Sequence, residues 1–455
     1  MDLTSRLRSI VRSGPPKARE LTYEPDDGYR NAAALDPDYV ARALGGRRVT
    51  TPFGECLVID RRYESDRWHG GVQIGDCTLD DLDALRILDP AMVAHRAGSP
   101  PDSRSAGLPD SRSAGLQPCP RTLFIDLETT GLSGGAGTVA FLVGCGYFDL
   151  GAFQVRQFLL TSHAGERALL STVADFFDGA DLIVTYNGKT FDVPVMETRW
   201  LFHRMKMPLD GVPHFDMLHP ARRLWKNRQA GVPDGDEGSC RLSTLERTLL
   251  DVVRVGDVPG MEIPGRFFGF VRSGDPRPLE PVLEHNRIDL VSLAAVTARA
   301  MRLARDGHDA CRNGAETLAL GRIFERAAHV GRAEACYRRA AESPDSQVRA
   351  DALYRLGVRL RRDRRFEDAE AIWRELIEFT DPRSMRRGVI GDYRQVAVEA
   401  LAIHREHRAK DLAGARELAL ASLEESHGPR ADSVRHRLAR LDRKLSKKTD
   451  AALFL

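Results

Sequence analysis

The sequence predicts two architectures in one chain, an α/β core in the middle and an all-α array of helical hairpins behind it. Three observations predict them. Between residues 122 and 304, apolar runs rich in β-branched residues alternate with stretches of helical spacing; beyond Arg305 that pattern changes; and a set of small and large residues then recurs after 36 positions. Strands leading and helices following indicate α/β layering. A fixed period of this length indicates stacked helical hairpins.

At 455 residues the chain exceeds one ordinary core, since domains run to about 150 residues each. A hydrophobic fraction of 42% and a charged fraction of 29% are those of a soluble globular protein, and no apolar stretch reaches the length of a membrane span. A net charge of +2 excludes no class of partner, and the arginines from Arg299 onward allow a local basic surface. Cys56, Cys77, Cys119, Cys145, Cys240, Cys311 and Cys336 are scattered with no Cys-x-x-Cys pair, against both a disulfide framework and a cysteine-rich zinc site. Without a secretory apolar core at the N-terminus, the expectation is a cytoplasmic protein that spans no membrane. Leu3, Leu7, Ile10 and Val11 with Arg6, Arg8 and Arg12 form a short basic amphipathic pattern, expected to dock on the protein itself.

Taken in order, residues 1–98 read as a small accessory region. A β-hairpin is expected from Arg48 to Ile59, turning at Pro52-Phe53-Gly54. Residues 99–118 hold a duplicated octapeptide, Pro101 to Leu108 and again 109–116, whose Pro, Ser and Gly predict a flexible linker. The core is assigned to 119–305. Its strands are expected at Leu123-Phe124-Ile125, Val139 to Phe148, Phe153 to Leu160 and Asp181 to Tyr186, with helices from Glu166 to Phe177 and from about Pro278 to Ala304. In 306–446, Leu320-Gly321, Ala333, Tyr337 and Ala340 recur as Leu356-Gly357, Ala369, Trp373 and Leu376. A weaker third copy runs from Ala397 to Leu423, with Ala415 and Ala419 in packing positions, and about three such units suffice to bury a continuous core. Residues 447–455 are left as a tail.

Three segments carry the candidate chemistry. Asp126 and Glu128 are separated by one leucine, so on a strand they project from the same face. Carboxylates this close resist desolvation unless a cation, a proton or a basic partner compensates them. Hard oxygen ligands favour magnesium or manganese over zinc. A lone Asp-x-Glu reads more readily as a strand ending in a solvated acidic loop, so the other segments matter. Asp192 follows Asn187-x3-Phe191 at the start of a helix. His285 and Asp289, four residues apart, share a helix face, and Val282, Leu283, Ile288 and Leu293 beside them place it against the sheet. Two nucleotide motifs fail: Gly188-Lys189-Thr190 lacks the earlier P-loop glycine, where Ile183 stands, and the glycines from Gly131 to Gly137 precede strand-like residues and not a helix. Asp216, on a short strand-like segment between His214 and His219, is assigned a structural role or a place behind the ligating acids.

In this order and spacing, over residues 121–304, the motifs resemble those of the DEDD exonuclease superfamily: Asp-x-Glu, Asn-x3-Phe-Asp and a His shortly before an Asp. More narrowly, the stretches from Asp126 to Thr138, Val184 to Asp192, His219 to Trp225 and His285 to Asp289 resemble bacterial YprB-type ribonuclease H-like proteins. The resemblance implies an α/β ribonuclease H-like mixed sheet with flanking helices, joined to a tetratricopeptide-like repeat domain. It implies two ions, Mg2+ or Mn2+, about 4 Å apart, held by Asp126, Glu128, Asp192 and Asp289, with Asp126 bridging. His285 would orient or deprotonate the attacking water. Its His-x3-Asp spacing is that of the tyrosine subclass, which leaves a structural helix histidine as its other reading. Thr129 and Leu132 would flank the terminal nucleotide, where glycine lets the backbone approach, and Asn187, Lys189 and Arg223 would bind substrate. Arg222 and Arg287 are further phosphate candidates, and Trp225 is a stacking candidate, although each of these basic and aromatic residues taken alone reads more readily as a solvated surface charge or a core aromatic. The implied activity is 3′→5′ exonucleolytic release of nucleoside monophosphates from single-stranded ends, with RNA and DNA both open. The alternative is a nucleic-acid-binding adaptor with little or no catalysis, recruiting a protein partner through its repeats.

Overall fold

Helix α1 (Pro37–Ala43) leads into β1 (Arg47–Thr51) and β2 (Gly54–Tyr63), followed by a short ribbon of β3 (Trp68–His69) and β4 (Val72–Gln73) and by α2 (Leu82–Leu88). A meander of β5 (Thr122–Thr129), β6 (Ala140–Asp149) and β7 (Ala152–Leu159) comes next. Helix α3 (Glu166–Phe177) crosses to β8 (Leu182–Thr185), and α4 (Asp192–Phe202) crosses to β9 (His214–Asp216). After α5 (Leu218–Leu224) and α6 (Leu242–Leu245) comes a π-helical turn at Glu246–Leu250, then α7 (Ile263–Ser273) and the long α8 (Glu280–Asp306). This computed structural model describes residues 37–92, 121–131, 137–226, 240–380, 389–425 and 429–453. The amphipathic N-terminal segment, the duplicated linker, Cys119 and Leu132 lie outside the described residues.

The central sheet has seven strands in the order β1-β2-β7-β6-β5-β8-β9. Pairing is antiparallel from β1 to β5 and parallel from β5 through β8 to β9, and parallel pairs need the crossovers that α3 and α4 supply. The expected mixed sheet with flanking helices is therefore present. The hairpin expected at Arg48 to Ile59 also forms, and β2 pairs along β7 from Leu57↔Leu159 to Tyr63↔Phe153. The region read as accessory thus extends the central sheet and covers an edge that would otherwise be an open template.

Alternation along β5 sorts its side chains. Leu123, Ile125 and Leu127 pack with Phe141, Leu169, Trp200 and Phe267 on the face covered by α1, α3, α4 and α7. Phe124 points the other way, into a cluster with α2 and α8. Asp126 and Glu128 share the parity of Phe124, so they face α8.

Beyond α8 the chain is helical: α9 (Gly314–Arg326), α10 (Val330–Ala341), α11 (Ser346–Arg362), α12 (Phe366–Phe379), α13 (Val389–His404), α14 (Leu412–Glu425) and α15 (Pro429–Leu453). The 36-residue period is visible in the fold. Ala328 and Arg364 both turn at φ 61°, ahead of α10 and α12. Gly321 lies under Tyr337 and Gly357 under Trp373, and a Cβ at either glycine would stand 2.7 Å from the ring. The last helix runs on to Leu453, through the segment read as a tail. The cluster on the α8 face continues without a break into this array, as far as Leu401. Among the described residues no helix is long and apolar enough to cross a membrane.

Candidate active site

β8 pairs with β5 only as far as Phe124↔Val184. The next residues of β5, from Asp126 onward, outrun that neighbour, and open parallel sheets bind ligands at such strand ends. The chain after β8 turns sharply there. Asn187 adopts φ 69°, a left-handed conformation that asparagine tolerates better than most residues. The buried carboxylate of Asp216 accepts from the backbone N–H groups of Asn187 (2.8 Å), Lys189 (3.0 Å) and Leu218 (3.1 Å). Asp216 thus shapes the turn, and its charge also acts on Asp192. The turn ends in Asp192, the first residue of α4, whose carboxylate accepts from its own backbone N–H and from that of Leu127 on β5. Asp289 enters from α8.

Asp126, Glu128, Asp192 and Asp289 are thus brought within one another's field from three separate segments. Burial, then the charges of Asp289, Glu128 and Asp192, push the Asp126 carboxyl well above its ordinary value. Burial and the charges of Asp289 and Asp192 do the same to Glu128. Asp192 is pushed up to about 7, by burial first, against the two backbone donors that lower it. Burial also raises Asp289, with Arg254 and His285 acting in opposition. Arg254 relieves this repulsion in part, through its bond to Asp289 and its charge near Glu128.

Asp126 is held from behind. Asn286, fully buried on α8, donates Nδ2–H to its carboxylate (2.8 Å) and backbone oxygen (3.2 Å). Gln157 on β7 donates to Asn286 Oδ1 (2.9 Å) and to the Leu283 carbonyl (2.8 Å), and Arg287 donates to Gln157 Oε1 (3.2 Å). The register sets Gly144 of β6 between Asp126 and Gln157. A Cβ there would come within 2.1 Å of Asn286 Oδ1, so only glycine lets the amide lie on the sheet.

His285 Nδ1 lies 2.7 Å from Asp257 Oδ1, and its Nε2 lies 3.6 Å from Asp289 Oδ2. A carboxylate only accepts, so Nδ1 carries the hydrogen and Nε2 faces the acids. Burial alone would raise Asp257, but the hydrogen bond from His285 and the pairing with Arg254 hold it below its ordinary value. Arg254 donates through Nη2 to Asp289 and Glu246, through Nε to Glu246 (2.7 Å) and through Nη1 to Asp257 (3.1 Å).

Sequence reasoning missed Arg254, Glu246, Asp257, Asn286 and Gln157. Asn286 had a signal, since Val282, Asn286, Leu290 and Leu293 follow the inward helical spacing. Arg254 had none. Several expected substrate contacts have partners within the protein. Lys189 Nζ pairs with Asp89 (3.0 Å) and Arg223 donates to the Leu88 carbonyl (2.9 Å), so both fasten the end of α2. Thr129 Oγ1 donates to the Gly131 carbonyl, and Asn187 Oδ1 accepts from Thr190 within its own turn. Arg287 is buried against Gln157 and Glu284, and Trp225 donates to Glu316 at the boundary with the helical array. Arg222 is exposed.

Among the described residues no group of three or more His, Cys, Asp or Glu side chains is arranged to hold a metal ion. The donor chemistry fits a hard divalent cation nonetheless, because Asp126, Glu128 and Asp192 are oxygen ligands whose shared repulsion a cation would relieve. Asp289 fits less simply, having one oxygen engaged by Arg254.

A family model of the RNase_H superfamily matches residues 123–301, from within β5 to within α8. The chain is 32% identical over 331 residues to "Uncharacterized protein YprB" of Bacillus subtilis (strain 168), covering 71% of this chain and 75% of that protein. Among solved structures it is similar to the family B DNA polymerase from the hyperthermophilic archaeon Pyrobaculum calidifontis, with a TM-score of 0.35 and 11% identity, over 74% of this chain and 67% of that one.

Proposed function

Because the chain belongs to the family of YprB, with a domain of the RNase_H superfamily, we propose that it is a metal-dependent nuclease of the DEDD type, a 3′→5′ exonuclease acting on single-stranded ends. Proteins of that superfamily typically hydrolyse nucleic acids with divalent ions. The observation that carries the reading is the convergence of four buried carboxylates from three segments, where the charges of Glu128, Asp192 and Asp289 all raise Asp126. An adaptor has no use for so unfavourable a cluster, whereas a nuclease needs it to hold Mg2+ or Mn2+.

When bound, a divalent ion supplies Lewis-acid charge to phosphoryl oxygens and makes water a better nucleophile. Asp126, Glu128 and Asp192 are the residues that would hold it, with Asp289 at their side. Asn286 and Gln157 fix the Asp126 carboxylate, and the Leu127 N–H fixes that of Asp192. Asp257 sets the tautomer of His285, so that Nε2 is presented to take a proton from water. The helical array, tetratricopeptide-like in period, is left as the place for a protein partner.

The test is incubation of the full chain with 5′-labelled single-stranded RNA or DNA and Mn2+, beside an Asp126→Asn control. Ladders shortening from the 3′ end, absent in the control, are expected. Equal binding by both proteins with no cleavage would put the adaptor reading first.

A further inference from the structure

We infer that Arg254 is a cation built into the active site, and that the acidic cluster accordingly takes one divalent ion where the family resemblance implies two. This rests on the nuclease reading above. Its starting point is an inversion of burial in the segment after the π-helical turn. Val253 and Val255 are 75% and 94% exposed, while the Arg254 side chain between them is only 9% exposed. Apolar side chains turned out and a guanidinium turned in reverse the usual preference, so the inward partners must hold the arginine there.

Glu246 is the chief of them. Its side chain is 1% exposed, and it takes both Nε and Nη2 of Arg254 in a bidentate pair, the geometry in which arginine binds carboxylates most strongly. It sits in the π-helical turn Glu246–Leu250, an irregularity often found at functional sites. Withdrawing Arg254 would strand the Glu246 charge in the interior, which is strongly unfavourable. Asp257 holds the other nitrogen, Nη1. Anchored on two sides, the guanidinium donates its remaining Nη2 hydrogen to Asp289 Oδ1. Burial alone would lower the pKa of Arg254, yet the bonds to Glu246 and the charge of Asp289 hold it far above the ordinary value.

An ion drawn to Asp289 would have to stand beside a permanently charged guanidinium already bonded to that carboxylate. Arg254 therefore excludes a cation from that side and supplies the positive charge itself. Among the described residues no arginine or lysine is hydrogen-bonded to Asp126, Glu128 or Asp192, which are left to share one divalent ion.

The experiment counts Mn2+ bound per full-length chain, by calorimetric titration and by the paramagnetic resonance signal, with and without saturating 5′-AMP. Wild type is compared with Arg254→Met and with Arg254→Met/Glu246→Gln, which removes the stranded charge should the single variant misfold. One ion in wild type in both conditions, rising to two with a spin-coupled signal in a folded variant, is the expected result. Two ions in wild type, or one in every protein, would overturn the inference and leave the nuclease reading standing. No specific Mn2+ binding by any of them would overturn both.

Discussion

Asp126 shows how a single carboxylate is made useful. Its own strand gives it direction, but Asn286, Gln157 and the missing side chain of Gly144 give it position. Partners behind a metal ligand typically matter by about 10–100-fold in affinity or activity, so Asn286→Ala should lower nuclease activity and Mn2+ affinity by that factor while the fold survives. Direct loss of a ligand should be harsher. If the ion supplies several kcal/mol of transition-state stabilisation, Asp126→Asn should slow cleavage by about 10³-fold, read as single-turnover rates. Asp192 makes a prediction about pH. Its carboxyl is pushed from the ordinary 3.8 up to about 7, so between those values the folded state keeps a proton that the unfolded chain has released. Stability therefore falls as pH rises through that window. In EDTA, the melting temperature of Asp192→Asn relative to wild type should climb between pH 4 and pH 8, and saturating Mn2+ should reverse the ranking at pH 8. A difference that stays flat with pH would contradict the coupling of the acids. At this scale the sequence was legible where a motif names its own residues, as Asp126, Glu128 and the His285–Asp289 pair do. It was not legible for Arg254, because an arginine flanked by Val253 and Val255 reads as the solvent-facing position of a strand until Glu246 is seen to be buried beside it.

Elements were more readable than residues. The helix expected from Glu166 to Phe177 has those bounds, and three core strands fall within a residue of their expected places, while β5 runs four residues past Ile125 to Thr129 and carries both acids on the strand itself. Periodicity suffices there because each element buries a face with its own repeat. What the pattern did not carry is pairing across distance: the β1–β2 hairpin was recognisable, but its attachment to β7 depends on a strand some hundred residues away. Deleting residues 1–63 should uncover the β7 edge and shift the protein to aggregates, measured by light scattering after size-exclusion chromatography. A monodisperse, folded product would show that the hairpin is dispensable cover. In the helical array the Gly321–Tyr337 and Gly357–Trp373 contacts are equivalent places in successive hairpins. Gly357→Ala should overpack the second and destabilise the chain by about 1–3 kcal/mol in urea titration.

On the α8 face, packing runs from the sheet into the helical array as far as Leu401. Glu316 near the start of α9 is almost fully buried and accepts from Trp225 (2.7 Å), Arg299 (2.9 Å) and the Arg312 backbone (2.7 Å). Arg312 in turn donates to the Leu249 carbonyl (2.7 Å), three residues on from the glutamate that anchors Arg254. The array is therefore joined to the segment that shapes the active site. Breaking a buried charge pair is costly by about 3–5 kcal/mol, so Glu316→Ala should lower the melting temperature and, through Leu249, weaken Mn2+ binding in protein that is still folded. The 36-residue period announced the array in the sequence; its docking through Trp225 did not show, since an aromatic beside two arginines looks equally like a base-stacking residue. What joins these scales is the claim that Asp126, Glu128, Asp192 and Asp289 form a metal-dependent hydrolytic centre. Anomalous diffraction from crystals of the full chain in Mn2+, recorded near the manganese edge, tests it most directly. A peak among the carboxylates of Asp126, Glu128 and Asp192 is the predicted result. Manganese found only elsewhere, in crystals grown from protein that cleaves nucleic acid in the same Mn2+ buffer, would contradict it.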